Sequence, residues 1–496
     1  MPFLRRRASL STMRQQVIGI NQRVPLYNGR WVRYINLDNA ATTPTLRPVL
    51  DKVLEFLPWY SGVHRGSGYK SLVSTAAYDE ARMRIARFFN ADPDYHVAIF
   101  CKNTTEAINL VAARLQLRPE DMILTTLMEH HSNDLPWRRV ARVIRADVLD
   151  DGALDEDDFA RKLSLYHRRI KLVTVSGASN VTGWINDICK IAALAHSYDI
   201  PVMVDGAQLA AHRAINLSTA ADPHHIDFLA ISGHKLYAPF GTGMLIGPRR
   251  VFEQGSPEIV GGGTVNLVTP RGVEWTKPPA RDEAGSPNLI GAIALAAALD
   301  VLAELGMDNI AAHEQSLTDY AAAKLKTISG VKLYGSTKPR DSKRLGVMSF
   351  SVDGYEHGLV AAHLAFYGGI GVRSGCFCAQ PYIQRLLGLE ERDVARLRHS
   401  LAAGKIKQLP GLVRISFGLY NTHDEIDRLA ETLKLIGSHP PEYWLRQLPW
   451  NDALESYVPE KLAPNLRRIR LPQLGSSLLF HRCFPEGLID HSELIQ

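Results

Sequence analysis

Short apolar runs alternating with helical stretches constrain this chain more than any other feature. Residues 97–100, 122–125, 172–175, 201–204 and 228–231 each have the length and apolar character of a buried strand. Residues 105–115 and 187–197 lie between them with apolar side chains at helical spacing, and 74–89 repeats that spacing through Ala77, Ala81, Ile85 and Phe88. The alternation predicts an α/β domain with a largely parallel sheet. Ligands of such sheets sit beyond the carboxyl ends of the strands, where most of the polar candidates below fall. After Leu289 the character changes: helices at 289–305 and 311–329 precede strand-like pieces at 347–352, 371–373 and 413–417, as in a smaller α+β domain. The chain then divides into an arm and part of the small domain (1–47), a large domain (48–288), a small domain (289–436) and an extension (437–496). Residues 1–34 read as an irregular arm, with a transit peptide as the alternative. The proline-punctuated extension reads as an extended docked segment, 478–480 being its strand candidate.

Composition narrows the function classes. The 496 residues are 46% hydrophobic and 22% charged, the balance of a globular enzyme. A net charge of +6 is too mild to argue for nucleic acid, and the clusters Arg5, Arg6, Arg7 and Arg467, Arg468, Arg470 read as solvated tails. Cys101, Cys189, Cys376, Cys378 and Cys483 are too scattered for a disulfide framework, so reduced thiols in the cytoplasm are expected. No membrane span is expected, since the longest apolar run, 289–299, stops at Asp300.

Residues 204–243 hold the chemistry. Asp205 follows the apolar Val202, Met203 and Val204, and Lys235 comes about thirty positions later in Ser232-Gly-His-Lys. Pyridoxal 5'-phosphate needs this pair: an amine to bond its aldehyde, and a carboxylate to keep the pyridine nitrogen protonated so that the ring serves as an electron sink. A strand-ending acid and a lysine acting as a phosphate charge are the plainer readings of the two residues. The turn at Asn103 opens a helix whose amides and threonine hydroxyls, Thr104 and Thr105, suit a phosphate or simply an N-cap. In Glu129-His-His-Ser-Asn133 a flat imidazole can stack on a ring or move protons; paired histidines also occur on surfaces and in metal sites. No metal site is expected, because the one rival cluster, Asp222-Pro-His-His-Ile-Asp227, reads as a loop. Asn180 and Gln208 are either donors to the cofactor's phenolic oxygen or turn residues.

LDNAATTP, NTTEAINLVA, EHHSNDLPW, SNVTGWIND, VDGAQ, SGHKLYAPFGTG, GGGT and AGSPN occur in one order between residues 34 and 430. Together they resemble the class V aminotransferase group of fold-type I pyridoxal phosphate enzymes, within it the cysteine desulfurase and selenocysteine lyase subgroup. The resemblance implies a mainly parallel seven-stranded sheet in the large domain and a homodimer with active sites shared between subunits. It implies Lys235 as the Schiff-base lysine, Asp205 as the pyridinium partner and His130 as the stacking histidine. Thr104, Thr105, Ser232 and His234 become phosphate ligands, with Ser286 as a phosphate contact lent by the neighbouring subunit, where the group more often has threonine.

The cofactor alone leaves transamination, elimination, racemisation and desulfuration open. Gly371-Val-Arg-Ser-Gly-Cys-Phe-Cys-Ala-Gln-Pro381 discriminates, because a thiol on a glycine-flanked loop can attack the sulfur of a bound substrate. The resemblance places that nucleophile at Cys378, and the carboxylate-binding arginine at Arg414, with Arg373 and Asn180 beside it as substrate-binding residues. L-Cysteine would then yield L-alanine and a persulfide on Cys378, for an acceptor protein or small thiol. Lys235 would remove the Cα proton, and His130 would assist. The Gly-Cys-Phe-Cys sequence and a lengthened segment between Cys378 and Arg414 resemble instead the desulfurase-like domain of molybdenum cofactor sulfurases. Cys376 is a small loop residue or a relay thiol. Other readings are a lyase, epimerase or aminotransferase on another amino acid, or a non-catalytic sulfur-carrier scaffold.

Overall fold

The computed structural model describes residues 10–338, 340–404 and 406–466. The arginine clusters, Cys483 and the strand expected at 478–480 lie outside the described residues.

The alternating pattern builds a seven-stranded sheet. Its strands are β1 (His96–Cys101), β2 (Met122–Thr126), β3 (Arg142–Ala146), β4 (Ile170–Ser176), β5 (Val202–Asp205), β6 (Phe228–Ser232) and β7 (Gly243–Pro248), in the spatial order β1-β7-β6-β5-β4-β2-β3. Only β7 opposes the common direction, pairing antiparallel with both β1 and β6. Helices α1 (Arg47–Phe56), α2 (Tyr69–Phe88), α3 (Thr104–Arg114), α4 (Ile188–His196) and α5 (Leu289–Leu305) belong to the same body. The apolar α5 is buried along most of its length against α1 and α2. That burial accounts for its all-round hydrophobicity. No single helix among the described residues is long and apolar enough to cross a membrane; α5 and α6 (Met307–Lys326) reach that length only as a pair, bent by 78° between them.

A second core gathers around an antiparallel sheet of β8 (Val331–Tyr334), β9 (Val347–Val352), β10 (Arg373–Gly375) and β11 (Leu412–Ser416), ordered β8-β9-β11-β10. Helices α6 and α9 (His423–Ile436) pack with it, and α7 (Gln380–Leu386) and α8 (Glu391–Ala402) fill the segment between β10 and β11. The single strand expected at 371–373 is divided. Ile370–Gly371 pairs in parallel with Ile35–Asn36 from the other end of the chain, while β10 begins only at Arg373.

Two expectations are corrected at the ends. Residues 10–34 are not irregular: they hold the helix Leu10–Met13 and a hairpin of Arg23–Pro25 with Trp31–Arg33. The extension is not merely extended, since Pro441–Gln447 is helical. Trp444, Leu448 and Tyr457 are buried in the second core. Those apolar side chains, too sparse to show a period, dock the segment.

Candidate active site

The carboxyl ends of the parallel strands open into a cavity of about 340 Å³. Thr104, Thr105, His130, Asn180, Asp205, Gln208, Ser232, His234, Lys235, Arg373, Cys378 and Arg414 all line it. Ser286 does not; it lines a separate cavity with Tyr78, Phe100 and Glu283.

Backbone register puts the polar groups together. Ser176 and Asp205 end β4 and β5 as direct partners, so their side chains enter the cavity from neighbouring strands. Ser232 ends β6, and the short turn Gly233–Lys235 carries His234 and Lys235 beyond it. On the far side of Ser232, a Cβ at Gly243 would stand 2.8 Å from the Cα of Asn103. Glycine there lets β7 pass close to the start of α3. The Thr104 amide donates to Ser232 Oγ at 2.9 Å, and Thr104 Oγ1 lies 2.8 Å from the same oxygen. Thr105 and Ser132 hydroxyls meet at 2.7 Å. This end offers a helix N-terminus and a cluster of hydroxyls, a phosphate-binding donor set.

Burial tunes the opposite end. It pushes the Lys235 amine down to about 8; Asp205 opposes that change, whereas Arg414 reinforces it. Asp205 is raised by the same desolvation, with the Ala207 amide and Lys235 pulling it back. Burial first, then Lys235, His131 and Arg414, depress His130 to about 3, so its ring is neutral at physiological pH. The Ser132 amide donates to His130 Nδ1 at 3.1 Å, leaving the proton of that neutral ring on Nε2. Beneath it Glu129, buried and raised to about 7, accepts bonds from Thr126, Asn133 and Ser176.

The third wall is a turn. Cys376 O accepts from Ala379 N at 2.9 Å, and the central residues Phe377 and Cys378 have φ of 52° and 55°. Left-handed backbone at two successive non-glycine residues is strained and needs outside support. Asn180 Nδ2 donates to Phe377 O at 2.7 Å, the His131 amide donates to Cys378 O at 2.6 Å, and the Arg414 guanidinium lies over the Phe377 ring. Asn180 is thus committed to the turn, and Gln208 Nε2 to the Ala40 carbonyl at 2.8 Å.

Asp38 is the residue that sequence reasoning missed. It joins Arg414, at 3.1 Å, to Arg373, at 3.0 Å. Its signal was its place as the first acid of the chain, inside the LDNAATTP motif, opposite two arginines. Arg414 also donates to Asn180 O, yet its Nε is buried without a partner. The Arg414 side chain lines the cavity, and a planar guanidinium suits a ligand carboxylate.

The class V aminotransferase family profile matches residues 35–429, and the chain belongs to that family. A cysteine desulfurase of Dickeya dadantii is 36% identical over 82% of this chain and 93% of its own length. Among solved structures, the apo cysteine desulfurase of Thermococcus onnurineus shares 34% identity over 81% of this chain and 94% of its own, with a TM-score of 0.70. The cysteine desulfurase CsdA of Escherichia coli, in an S-sulfonic acid form, shares 30% identity over 87% and 99%, with a TM-score of 0.71. The fold is that of these enzymes, and in this chain it is built on a mixed seven-stranded sheet.

Proposed function

We propose that this chain is a pyridoxal 5'-phosphate-dependent cysteine desulfurase that carries the transferred sulfur on Cys378. One observation carries the reading: an amine of lowered basicity, a buried carboxylate, a guanidinium with a free donor and an exposed thiol converge on a single cavity. The donor set fits the cofactor. Thr104, Thr105, Ser232 and His234 would hold the phosphate, Asp205 the pyridine nitrogen, and Lys235 the aldehyde carbon; Gln208 lies along the same wall. When bound, the cofactor supplies an electron sink for the pair released from the substrate Cα.

The protein's own groups do the rest. Arg414, with Arg373, takes the substrate carboxylate, sharing Asp38 as the standing counter-charge. Lys235 Nζ, unprotonated in good part near pH 8, removes the Cα proton. The neutral His130 keeps its Nε2 proton in the cavity as a donor. The Cys378 sulfur attacks the substrate sulfur, the C–S bond breaks, and a persulfide remains on Cys378 while the carbon skeleton leaves as L-alanine after reprotonation. Cys378 is exposed, so the persulfide is open to an acceptor protein or small thiol.

Two copies would complete the site. Leu54, Leu57, Trp59 and Tyr60 are exposed at the end of α1 and just beyond it. The hairpin Val265–Thr269/Gly272–Trp275 exposes Leu267, Val268 and Val273. Apolar exposure on this scale calls for a partner surface. Ser286, outside its own chain's cavity, would reach the phosphate of the other.

Alanine release from L-cysteine, with and without a reducing thiol, tests the reading. The parent should release alanine, and Cys378→Ala should lose at least about 10²-fold, the scale on which a positioned reacting group is lost. No alanine from a yellow, cofactor-loaded parent would refute it.

A further inference from the structure

The second histidine pair, His224-His225, lies at the other end of the same strands from the cavity. Asp227 immediately precedes β6 and is buried; Val202 opens β5 and donates its amide to Asp227 Oδ2 at 2.7 Å. Counted along β5 and β6 to Asp205 and Ser232, this cluster is about 10–16 Å from the cavity.

His196, the last residue of α4, sets its Nε2 2.9 Å from Asp227 Oδ2. His225 Nε2 stands 3.4 Å from Oδ1, and the two imidazoles stack with centroids 4.1 Å apart and planes at 18°. The opposite nitrogen of each ring faces a main-chain carbonyl: His196 Nδ1 is 2.8 Å from Pro223 O, and His225 Nδ1 is 2.7 Å from Asp222 O. A carbonyl only accepts, so both Nδ1 atoms carry hydrogen. In its neutral form each ring therefore aims a bare Nε2 lone pair at a carboxylate. The carboxylate is matched either by a second proton on one or both rings or by one cation held among the three ligands. Backbone carbonyls bonded to Nδ1 are also the usual means of orienting a metal-binding histidine. The Tyr95 hydroxyl donates to Asp227 Oδ1 from β1's approach, and Arg250 lies beyond that ring.

We propose that His196, His225 and Asp227 form a divalent transition-metal site of the zinc class. The three ligand atoms lie within 4.8 Å of one another, the one such grouping of metal-ligating residues among the described residues. Each imidazole faces a different oxygen of the carboxylate, at 2.9 Å and 3.4 Å. These separations are near the edge of a tetrahedron with bonds of about 2.0–2.1 Å, and binding one ion would turn the stacked rings until their Nε2 lone pairs converge. Two imidazoles and a carboxylate are a ligand set zinc accepts. The histidine side chains are 15% and 11% exposed, leaving room for a solvent ligand in the fourth position. The ion would clasp the end of α4, the 222–225 loop and the starts of β5 and β6. It would play no part in the chemistry at the opposite rim.

The test is zinc content and thermal melting of the holoenzyme, stripped with chelator and dialysed against micromolar Zn²⁺. The parent should hold one zinc per chain more than His196→Gln/His225→Gln. Its Tm should rise by several degrees with zinc, and the variant's should not. Cofactor absorbance and alanine release should be the same in both. Equal zinc in parent and variant, or a parent Tm indifferent to zinc, overturns the proposal and leaves a protonated histidine–aspartate network. If the variant fails to fold, zinc-edge anomalous scattering from soaked parent crystals decides. A peak about 2.1 Å from both Nε2 atoms sustains the site, and no peak removes it.

Discussion

Two of the cavity's walls are made on different terms. Asp205, Ser232 and Lys235 stand at the ends of β5 and β6, strands buried along their whole length, and their positions follow from main-chain register. Cys378 stands on a four-residue turn with two left-handed residues, held by two hydrogen bonds from outside and the ring contact of Arg414. The first wall can strip water from charges because its scaffold does not yield; the second must let a thiol meet substrate on one side and an acceptor on the other. Rigidity is used where pKa values are set, and a supported strain where an atom has to be handed on.

The largest effect should come from the rigid wall. Lys235→Met should abolish alanine release, by about 10⁴-fold, the upper scale for one acid–base group. The same substitution should stabilise the cofactor-free protein. Folding lowers the amine's pKa from 10.5 to about 8, so between those values the unfolded chain binds more protons and stability rises with pH. Below about 8 the buried charge costs its full amount, on the order of 3 kcal/mol. Thermal melts at pH 7 should therefore favour Lys235→Met, with the gap closing as pH climbs from about 8 towards 10.5. A variant less stable than the parent at pH 7 would contradict the claim that function at this wall is held against stability.

The contrast between the walls also governs what the sequence made legible. Strands β1, β2, β4, β5 and β6 announce themselves because apolar residues fill them. At the edge of the sheet, β3 carries Arg142 and Arg145 and shows no apolar run. Although wholly buried, β7 begins at a glycine, holds Gly247 and ends at Pro248, so its turn-forming residues hid it. Lys235, Asp205 and Cys378 were found by residue type and order. Asp38 escaped because its meaning lies in two arginines more than 300 positions away, a pairing made only by the fold. Asn180 was expected to face the cofactor, and its bond to Phe377 shows a supporting contact that no spacing rule contains.

That bond sharpens the comparison. Removing the amide in Asn180→Ala leaves the Phe377 carbonyl short of a donor and the strained turn with one support fewer. The loss should be about 1–2 kcal/mol in positioning Cys378, a fall in alanine release of roughly five- to thirtyfold. The visible cofactor band should persist, since the phosphate and pyridine ends are untouched. Alanine release equal to the parent's would mean that the turn holds its shape without this bond, and the distinction between a self-supporting wall and a supported one would fail.

The smallest effect should come from the other thiol. Cys376 begins the turn but faces away from the substrate. It lines a separate cavity of about 410 Å³ with Ile383, Leu389, Val394, Leu397 and Leu401, between the turn, α7 and α8. Burial raises its pKa, so less of it is thiolate at neutral pH than in an open loop. Its main-chain carbonyl closes the turn, and any residue supplies a carbonyl. Cys376→Ala should accordingly keep alanine release within about twofold of the parent, with the lost sulfur felt mainly as a modest packing defect of about 1 kcal/mol in thermal melts. A fall as deep as that of Cys378→Ala would show sulfur passing through both thiols. The turn would then be a two-station relay, and its strain would serve to hold two sulfurs in reach of each other as well as to present one to the substrate.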